Sequence, residues 1–209
     1  MEIISKVPVT LTERLEYGEE LRIPASWDEF LDLLEECEYR IEYDEGEIIS
    51  FMGYAIDLHE KLAIKIGHLL ISVLNEDFFD VYGSNLALHI PGFVRRYYNA
   101  GCAVVNGETE KVTLRGDMTA VANPVLLVEV LSRSGRDFDL NRKFRNCQKI
   151  PSLQQVLFIE ITERKVVSHQ RQNDWQPETF SAAGDRVPVL GEGAVSLDEL
   201  YRKVSFIAG

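Results

Sequence analysis

The chain has 209 residues, enough for one sizeable domain and too few for two large ones. Hydrophobic residues make up 45% of the chain and charged residues 27%, which excludes a disordered chain, a collagen and a simple coiled coil. The 22 Lys and Arg residues against 34 Asp and Glu residues give a net charge of −12. A field of that sign disfavours polyanions, so a nucleic acid could bind only at a local basic patch or with metal ions offsetting the carboxylates.

Cysteine usage and hydropathy indicate the compartment. Cys37, Cys102 and Cys147 lie far apart, with no C-x-x-C pair. This spacing argues against a disulfide framework and against a structural zinc site, and it suits a reducing compartment. No apolar run approaches the roughly 20 residues of a membrane helix, and the first residues lack a signal-peptide pattern. We therefore expect a cytoplasmic protein that has no membrane segment.

The sequence predicts a polar arm over residues 1–25, followed by a single domain over residues 26–209. The capping box Ser26-Trp27-Asp28-Glu29 predicts the start of a short helix. Alternating residues around a turn at Asp44-Glu45-Gly46 predict a hairpin over residues 39–52. The further elements expected before the middle of the chain are a helix over about 56–75, a strand over 80–90, a strand over 95–105 and a loop from Asn106-Gly107 onward.

The second half begins with a near-continuous apolar run over residues 125–131, which predicts a strand covered on both faces. The later elements expected are a helix over 139–149, a hairpin of strands 155–161 and 165–170, a strand over 187–190 and a terminal helix from the capping box Ser196-Leu197-Asp198-Glu199. This order predicts an α/β fold with α+β character, in which helices flank one mixed central sheet.

Glu129 is the most informative residue, because it stands in the middle of the most apolar segment, between Val128 and Val130. On a central strand its carboxylate loses much of its water, and an unpaired buried charge costs several kcal/mol. Such an acid is tolerated when it is paired, hydrogen-bonded or bound to a metal. The structural alternative is that Glu129 lies near the sheet rim and bonds an arginine or a backbone amide.

Lys143 follows Glu129 by 14 residues, across a loop and into the next predicted helix. A strand-loop-helix return can bring the first turns of that helix back over the strand. A carboxylate that binds Mg²⁺ or Mn²⁺ and a lysine that orients the attacking water are a common hydrolytic arrangement. The alternative for Lys143 is a solvated helix lysine that pairs with Asp139 at i,i+4.

Other catalytic patterns are missing from the sequence. His59-Glu60 is half of a zincin helix, but Ala63 stands where the second histidine belongs. No G-x-S-x-G elbow, phosphate-binding loop or dinucleotide fingerprint occurs, which argues against serine hydrolases, nucleotide hydrolases and Rossmann dehydrogenases. Two basic stretches, around residue 95 and over residues 133–145, are the candidate contacts for a phosphate backbone; a solvated rim is the alternative.

Several short sequence motifs along the chain are distinctive when they are taken together. They are Ser26-Trp27-Asp28-Glu29-Phe30, Asp44-Glu45-Gly46-Glu47-Ile48, His59, Gly83-Ser84-Asn85-Leu86, the stretch from Asn123 to Ser132, Asp137-Phe138-Asp139, Lys143-Phe144 and Ile150-Pro151-Ser152-Leu153-Gln154. Together, from about residue 26 to residue 204, they resemble the Uma-two family of endonucleases, a branch of the PD-(D/E)xK, restriction-endonuclease-like superfamily.

This resemblance implies a restriction-endonuclease-like core and metal-dependent cleavage of a phosphodiester, with DNA as the partner. It implies that Glu129 is the second metal-binding acid, that Lys143 is the catalytic lysine displaced onto the following helix, and that Glu47 is an auxiliary metal-binding acid from the early hairpin. The implied cofactor is Mg²⁺ or Mn²⁺. A homodimer is also implied, because many members of the superfamily work as dimers.

One position departs from the family pattern. Ala100 and Gly101 stand where the family carries a Pro-Asp pair, so the aspartate that would bridge the metal is absent and metal affinity should be weak or lost. Asn99, two residues earlier, would share a strand face with Gly101 but offers only a neutral amide. Asp117 could reach in from its loop. Two functions therefore stay open: a metal-dependent endonuclease, and an inactive nuclease fold that acts as a binding or scaffold module.

Overall fold

The structure is a computed structural model that describes residues 7–52, 56–92 and 95–206. Residues 1–6 of the expected arm and residues 207–209 of the expected domain lie outside the described residues. None of the described helices contains an apolar stretch of the length that a membrane crossing requires.

A six-stranded mixed sheet forms the centre of the molecule. From edge to edge its strands are β13 (Pro177–Phe180), β12 (Val166–Gln170), β11 (Gln155–Glu160), β10 (Pro124–Leu131), β7 (Cys102–Asn106) and β4 (Phe79–Tyr82). β10 pairs in parallel with β11 and antiparallel with β7, and the other neighbours are antiparallel. This arrangement confirms the predicted mixed sheet.

β10 is the strand that the apolar run at 125–131 predicted, and all eight of its residues are buried. Its side chains alternate between two apolar clusters, with Val128 and Val130 on one face and Leu127 and Leu131 on the other. The helix α3 (Ile56–Val73) covers the first face. Both faces of the strand are therefore shielded from water, as a continuous apolar run requires.

Three smaller sheets complete the fold. They are a three-stranded sheet of β1 (Glu20–Pro24), β3 (Glu47–Phe51) and β2 (Glu42–Asp44), a four-stranded sheet of β6 (Tyr98–Asn99), β5 (Ala87–Leu88), β9 (Met118–Val121) and β8 (Lys111–Arg115), and the hairpin of β14 (Arg186–Val189) and β15 (Gly193–Ser196). The remaining helices are α1 (Leu11–Leu15), α2 (Trp27–Glu36), a π-helical segment (Phe138–Lys143), α4 (Phe144–Cys147), a 3₁₀ turn (Arg171–Asn173) and α5 (Leu197–Leu200).

Several expected elements changed in the folded chain. The loop expected after Asn106 is instead the β8–β9 hairpin, in which Val112 and Leu114 alternate with polar residues along β8. The strand expected over 80–90 is divided into β4 and β5, which belong to different sheets. The strand expected over 95–105 is likewise divided, at a bend around Gly101, into β6 and β7.

The described part of the expected arm folds onto the domain. β1 pairs along its whole length with β3. Arg14 on α1 is fully buried, and its guanidinium donates hydrogen bonds to the Gly18 carbonyl at 2.7 Å and to the Ser50 carbonyl at 2.7 Å. These bonds satisfy a cation that burial would otherwise make costly. The predicted capping box at Ser26 is confirmed at the start of α2.

Candidate active site

The candidate site lies where β10, the β2 strand of the three-stranded sheet and the π-helical segment meet. β10 contributes Glu129, whose side chain points to the same face as Leu127 and Leu131. β2 contributes Glu42, and the π-helical segment contributes Asp139 and Lys143. All four residues are charged, and the side chains of the three acids surround the lysine.

A tight return after β10 brings Lys143 back over the strand. The Ser132 hydroxyl accepts a hydrogen bond from the Gly135 amide at 3.0 Å, and the Asp139 amide donates to the Gly135 carbonyl at 2.9 Å. A Cβ at position 135 would lie 3.1 Å from the Ser132 hydroxyl oxygen and 3.4 Å from Cγ of Phe51. Glycine therefore permits the close turn that starts the π-helical segment.

The ammonium of Lys143 makes four polar contacts inside the protein. Its Nζ lies 3.0 Å from Oε1 of Glu129, 2.8 Å from Oε1 of Glu42 and 3.3 Å from Oδ1 of Asp139. It also donates a hydrogen bond to the Asn99 carbonyl at 2.6 Å. The lysine side chain is only 3% exposed, so these contacts take the place of its hydration shell.

Both predicted catalytic residues are thus buried and in contact, as the strand-loop-helix return predicted. Glu129 does not lie at the sheet rim, and Lys143 is not a solvated helix lysine. The expected i,i+4 contact with Asp139 also forms, but it belongs to the same buried cluster.

Burial and charge shift the pKa values of this cluster. Desolvation raises the pKa of Glu129 to about 7, against a smaller lowering by the ammonium of Lys143. Desolvation also raises the pKa of Asp139. Burial alone would lower the pKa of Lys143, but the carboxylates of Glu129, Glu42 and Asp139 together raise it above its ordinary value. Lys143 is therefore a cation at neutral pH, and the acids around it are in excess.

The acid that the early hairpin supplies to this cluster is Glu42. Glu47, the residue that the resemblance implied, lies on β3 with its side chain 37% exposed and 3.5 Å from Arg22. Glu47 pairs in register with Asp44, and no contact between Glu47 and Lys143 or Glu129 occurs in the described part of the chain. The structure thus brings Glu129 and Lys143 together without Glu47, whose metal-binding role stays a prediction.

A signal for Glu42 was present in the sequence. Polar residues stand at positions 40, 42 and 44 and alternate with Ile41 and Tyr43. This is the pattern of a strand that has one solvent-exposed face. In the structure that polar face turns inward, so Glu42 and Asp44 are buried. Glu42 Oε1 also accepts a hydrogen bond from the Asn99 amide at 3.0 Å, and it lies 3.6 Å from Nη2 of Arg40.

A second ionic cluster supports the first along β2. Asp44 is fully buried and lies 2.5 Å from Nε of Arg96 and 3.2 Å from Nη1 of Arg142. The Tyr98 hydroxyl donates a hydrogen bond to the same carboxylate at 2.8 Å. Because Arg142 immediately precedes Lys143, these contacts fix the π-helical segment against β2.

The two weaker ligand candidates lie elsewhere. Asn99 faces the cluster with its backbone, whereas its side-chain amide donates to the Ile41 carbonyl at 3.4 Å. The expectation that Asn99 shares a strand face with Gly101 assumed one regular strand, but the chain bends between β6 and β7. Asp117 is exposed in the β8–β9 turn, and it makes no contact with the cluster in the described ranges.

Internal ion pairs occupy much of the two basic stretches. Arg96 and Arg142 pair with Asp44, and Arg136 forms a bidentate pair with Glu160 at 2.5 and 2.7 Å. The exposed arginines of these stretches that form no ion pair with any described residue are Arg95, Arg133 and Arg145.

The donor chemistry of the cluster fits a divalent cation in part. Mg²⁺ and Mn²⁺ prefer carboxylate oxygens, and proteins often hold Mg²⁺ by one or two carboxylates while water and substrate phosphates supply the rest. Glu129 and Asp139 offer two such carboxylates. Within residues 7–52, 56–92 and 95–206, no group of three or more His, Cys, Asp or Glu side chains is arranged to hold a metal ion. The residues therefore fit an open site and do not form a closed protein cage.

Gly101 lies next to this site, and the backbone around it leaves little space. A Cβ at this position would lie 3.0 Å from the Val128 carbonyl oxygen and 3.5 Å from the Val130 amide nitrogen. Both atoms belong to the backbone of β10, beside Glu129. A side chain at position 101 therefore requires β7 and β10 to shift relative to each other.

The mixed sheet and its flanking helices are consistent with the restriction-endonuclease-like fold expected from the sequence. The fold is similar to the crystal structure of "a putative nuclease belonging to DUF820" from Anabaena variabilis, with a TM-score of 0.65 and 21% identity over 85% of this chain and 98% of that one. Residues 27–198 match the family model of Uma2, described as "Putative restriction endonuclease". The chain belongs to the Uma2 family, which confirms the resemblance drawn from the sequence.

Two relatives from Synechocystis sp. are also similar to the chain. "Uncharacterized protein sll1609" is 32% identical over 148 residues, which are 71% of this chain and 81% of that protein. "Uncharacterized protein slr1290" is 24% identical over 182 residues, which are 86% of this chain and 92% of that protein. The similarity thus extends over most of each protein.

Proposed function

We propose that the protein is a metal-dependent endonuclease that hydrolyses phosphodiester bonds of DNA at the Glu129–Lys143 cluster. The observation that carries this proposal is the 3.0 Å contact between Nζ of Lys143 and Oε1 of Glu129, both buried and contributed by different elements. A cation and an acid placed together in this way suit chemistry in which negative charge develops on a phosphate. Membership of a family described as restriction endonucleases supports DNA as the substrate.

Lys143 acts in this proposal as a fixed positive charge. Because the surrounding carboxylates raise its pKa, it keeps its proton at neutral pH and is not a general base. Its ammonium would orient the attacking water and stabilise the charge that forms on the phosphate. Glu42 and the Asn99 carbonyl hold the ammonium in place, through contacts of 2.8 and 2.6 Å.

Glu129 and Asp139 are the residues that would hold Mg²⁺ or Mn²⁺. A bound divalent cation would supply Lewis-acid polarisation of the phosphate and a more acidic water. The excess of buried carboxylate over ammonium supports this assignment, because a cation offsets the cost of keeping both acids ionised.

The first expected result is cleavage of DNA that requires a divalent cation. Purified protein should nick plasmid DNA in the presence of Mg²⁺ or Mn²⁺, remain inactive in EDTA, and lose at least about 100-fold in rate as Glu129→Ala, because that variant removes a carboxylate from the reacting centre. Supercoiled, linear and single-stranded DNA would be compared on gels. Glu60→Ala, at an exposed acid on α3, is the matched control. Metal-dependent cleavage that persists undiminished in Glu129→Ala would contradict the assignment.

Gly101 favours a second candidate function, an inactive nuclease fold kept as a binding or scaffold module. If this candidate is correct, the wild-type protein should not cleave DNA and should not bind Mg²⁺ or Mn²⁺ in calorimetry. Association of two copies is compatible with either candidate and stays a prediction.

Gly101→Asp separates the two candidates, with Gly101→Ala as the matched steric control. Since a Cβ would meet the Val128 carbonyl oxygen at 3.0 Å, both variants should lose about 1–3 kcal/mol of unfolding free energy in urea titrations. Metal binding or cleavage that appears only in Gly101→Asp would support the inactive fold. Cleavage by the wild type would exclude it.

A further inference from the structure

A cavity of about 360 Å³ opens beside the Glu129–Lys143 cluster. We infer that it binds one nucleotide unit of a single-stranded nucleic acid segment, with the phosphate of that unit on Arg40. The inference rests on the proposed function and adds a substrate-binding subsite to it. Residues 37–40 line one part of the cavity, and Asn85, Tyr97 and Asn99 line the rest of the wall that matters here.

Asn99 connects this cavity to the candidate catalytic cluster. Its carbonyl oxygen accepts hydrogen bonds from Nζ of Lys143 and from Nη2 of Arg40. The two cations therefore converge on one atom. Lys143 is 3% exposed, whereas the Arg40 side chain is 32% exposed and lines the cavity. A phosphate that enters the cavity can reach Arg40 directly while it remains adjacent to the lysine.

The acids near Arg40 include Glu129 and Asp139, but these contact Lys143, so Arg40 remains able to bind an anion. Its nearest carboxylate is Glu42, at 3.6 Å, but Glu42 lies closer to Lys143 and also accepts the Asn99 amide. Glu38, the acid that lines the cavity, accepts a hydrogen bond from the Leu11 amide at 3.0 Å. A guanidinium has five N–H donors in a planar fork. After the bond to Asn99, it retains donors that match two oxygens of a phosphate.

The other walls suit the base and the sugar of a nucleotide. Tyr39 and Tyr97 line the cavity but are only 9% and 8% exposed, so each offers a base a small apolar contact and not a full ring face. Asn85 is exposed, and its side-chain amide makes no hydrogen bond with any described residue, so it can pair with a base edge. A volume near 360 Å³ is at the lower end of small-ligand pockets, which indicates one nucleotide unit and not a longer segment.

Cys37 provides a reporter inside this cavity. It is half-buried and lines the wall, whereas Cys102 and Cys147 are buried in the core. The oligonucleotide (dT)₄ would be titrated in EDTA, without divalent cations, and alkylation of each cysteine by iodoacetamide would be followed by mass spectrometry. We expect saturating (dT)₄ to slow alkylation of Cys37 at least about fivefold, because a bound nucleotide covers the thiol.

The Arg40 variants test the phosphate contact. Arg40→Ala should raise the (dT)₄ concentration for half-protection about tenfold, as expected for loss of a charge-assisted hydrogen bond, and Arg40→Lys should give an intermediate value. Arg202→Ala, which removes the same charge from an exposed position just after α5, should leave it unchanged. Melting curves would establish that each variant is folded.

Two results would overturn the inference: no protection of Cys37 by (dT)₄, or equal protection in wild type and Arg40→Ala. Protection by inorganic phosphate at the same concentration as (dT)₄ would overturn the assignment of a nucleotide. Because the titration contains no divalent cation, its outcome is independent of cleavage. Protection in a chain that never cleaves DNA would contradict the proposed function alone, and cleavage without protection would contradict the subsite alone.

Discussion

Replacing Lys143 by methionine is expected to abolish cleavage and to lower the free energy of unfolding by about 3–5 kcal/mol. Methionine fills a similar volume but carries no charge. Three acids that now surround the ammonium, Glu42, Glu129 and Asp139, would then face an apolar side chain in a buried site. Removing one partner of a buried ion pair costs more than the pair itself contributes, because the remaining charges stay desolvated.

Urea titrations of the metal-free proteins at pH 8 would measure the effect of Lys143→Met. Lys111→Met, at an exposed position on β8, is the matched control and should change stability by less than about 0.5 kcal/mol. A loss below about 1 kcal/mol in Lys143→Met would show that the ammonium is not held as the structure describes.

Replacing Glu129 by glutamine is expected to have the opposite effect on stability while also removing activity. The neutral amide should raise the free energy of unfolding by roughly 1–3 kcal/mol above pH 7 in metal-free protein, because it removes one buried charge from a cluster with more acids than ammonium groups. The side chain keeps its shape, and its amide oxygen can still accept a hydrogen bond from Lys143.

The pH dependence of this gain follows from the pKa of Glu129, which burial raises from 4.5 to about 7. Because the folded protein binds the proton more tightly than the unfolded chain, ionised Glu129 destabilises the fold. This cost is absent below about pH 4.5, grows between pH 4.5 and 7, and is fully present above pH 7. The advantage of Glu129→Gln should therefore be large at pH 8 and nearly vanish at pH 4.5.

Denaturant midpoints at pH 4.5, 6 and 8, measured in EDTA, would check this prediction. Glu47→Gln is the matched control, since Glu47 is partly exposed, and its effect should stay within about 0.5 kcal/mol at each pH. A Glu129→Gln variant that is less stable than wild type at pH 8 would contradict the excess of buried negative charge. Lys143→Met should be less stable than wild type and Glu129→Gln more stable, and both should be inactive. Loss of activity in both variants would then not be a result of unfolding.

The sequence was most informative where a local pattern made one structure clearly more favourable than the others. An acid among six apolar residues required a partner, and the 14-residue separation made Lys143 a candidate that the structure confirmed in contact with Glu129. The capping residues at Ser26 predicted the start of α2, because these bonds form within four residues. Short-range signals of this kind depend little on the rest of the fold.

Other features depended on packing between distant segments. Alternation showed that Glu42 and Asp44 share one face of β2, but only the position of the π-helical segment determined that this face is buried. The β8–β9 hairpin was missed although Val112 and Leu114 alternate with polar residues on β8, and this alternation over five residues is the signal that could have found it. The bend at Gly101 turned the Asn99 backbone, and not its amide, toward Lys143.

The sequence by itself determined the central buried strand, the acid within it and the basic residue that returns to it, since each follows from periodicity and the cost of burying charge. The tertiary structure decided which other groups join them. Glu42 and the Asn99 carbonyl reach the cluster, and Arg40 reaches the adjoining cavity, because two sheets meet at the same place. Contacts between residues about 100 positions apart are fixed by how complete faces pack, and no local pattern encodes that packing.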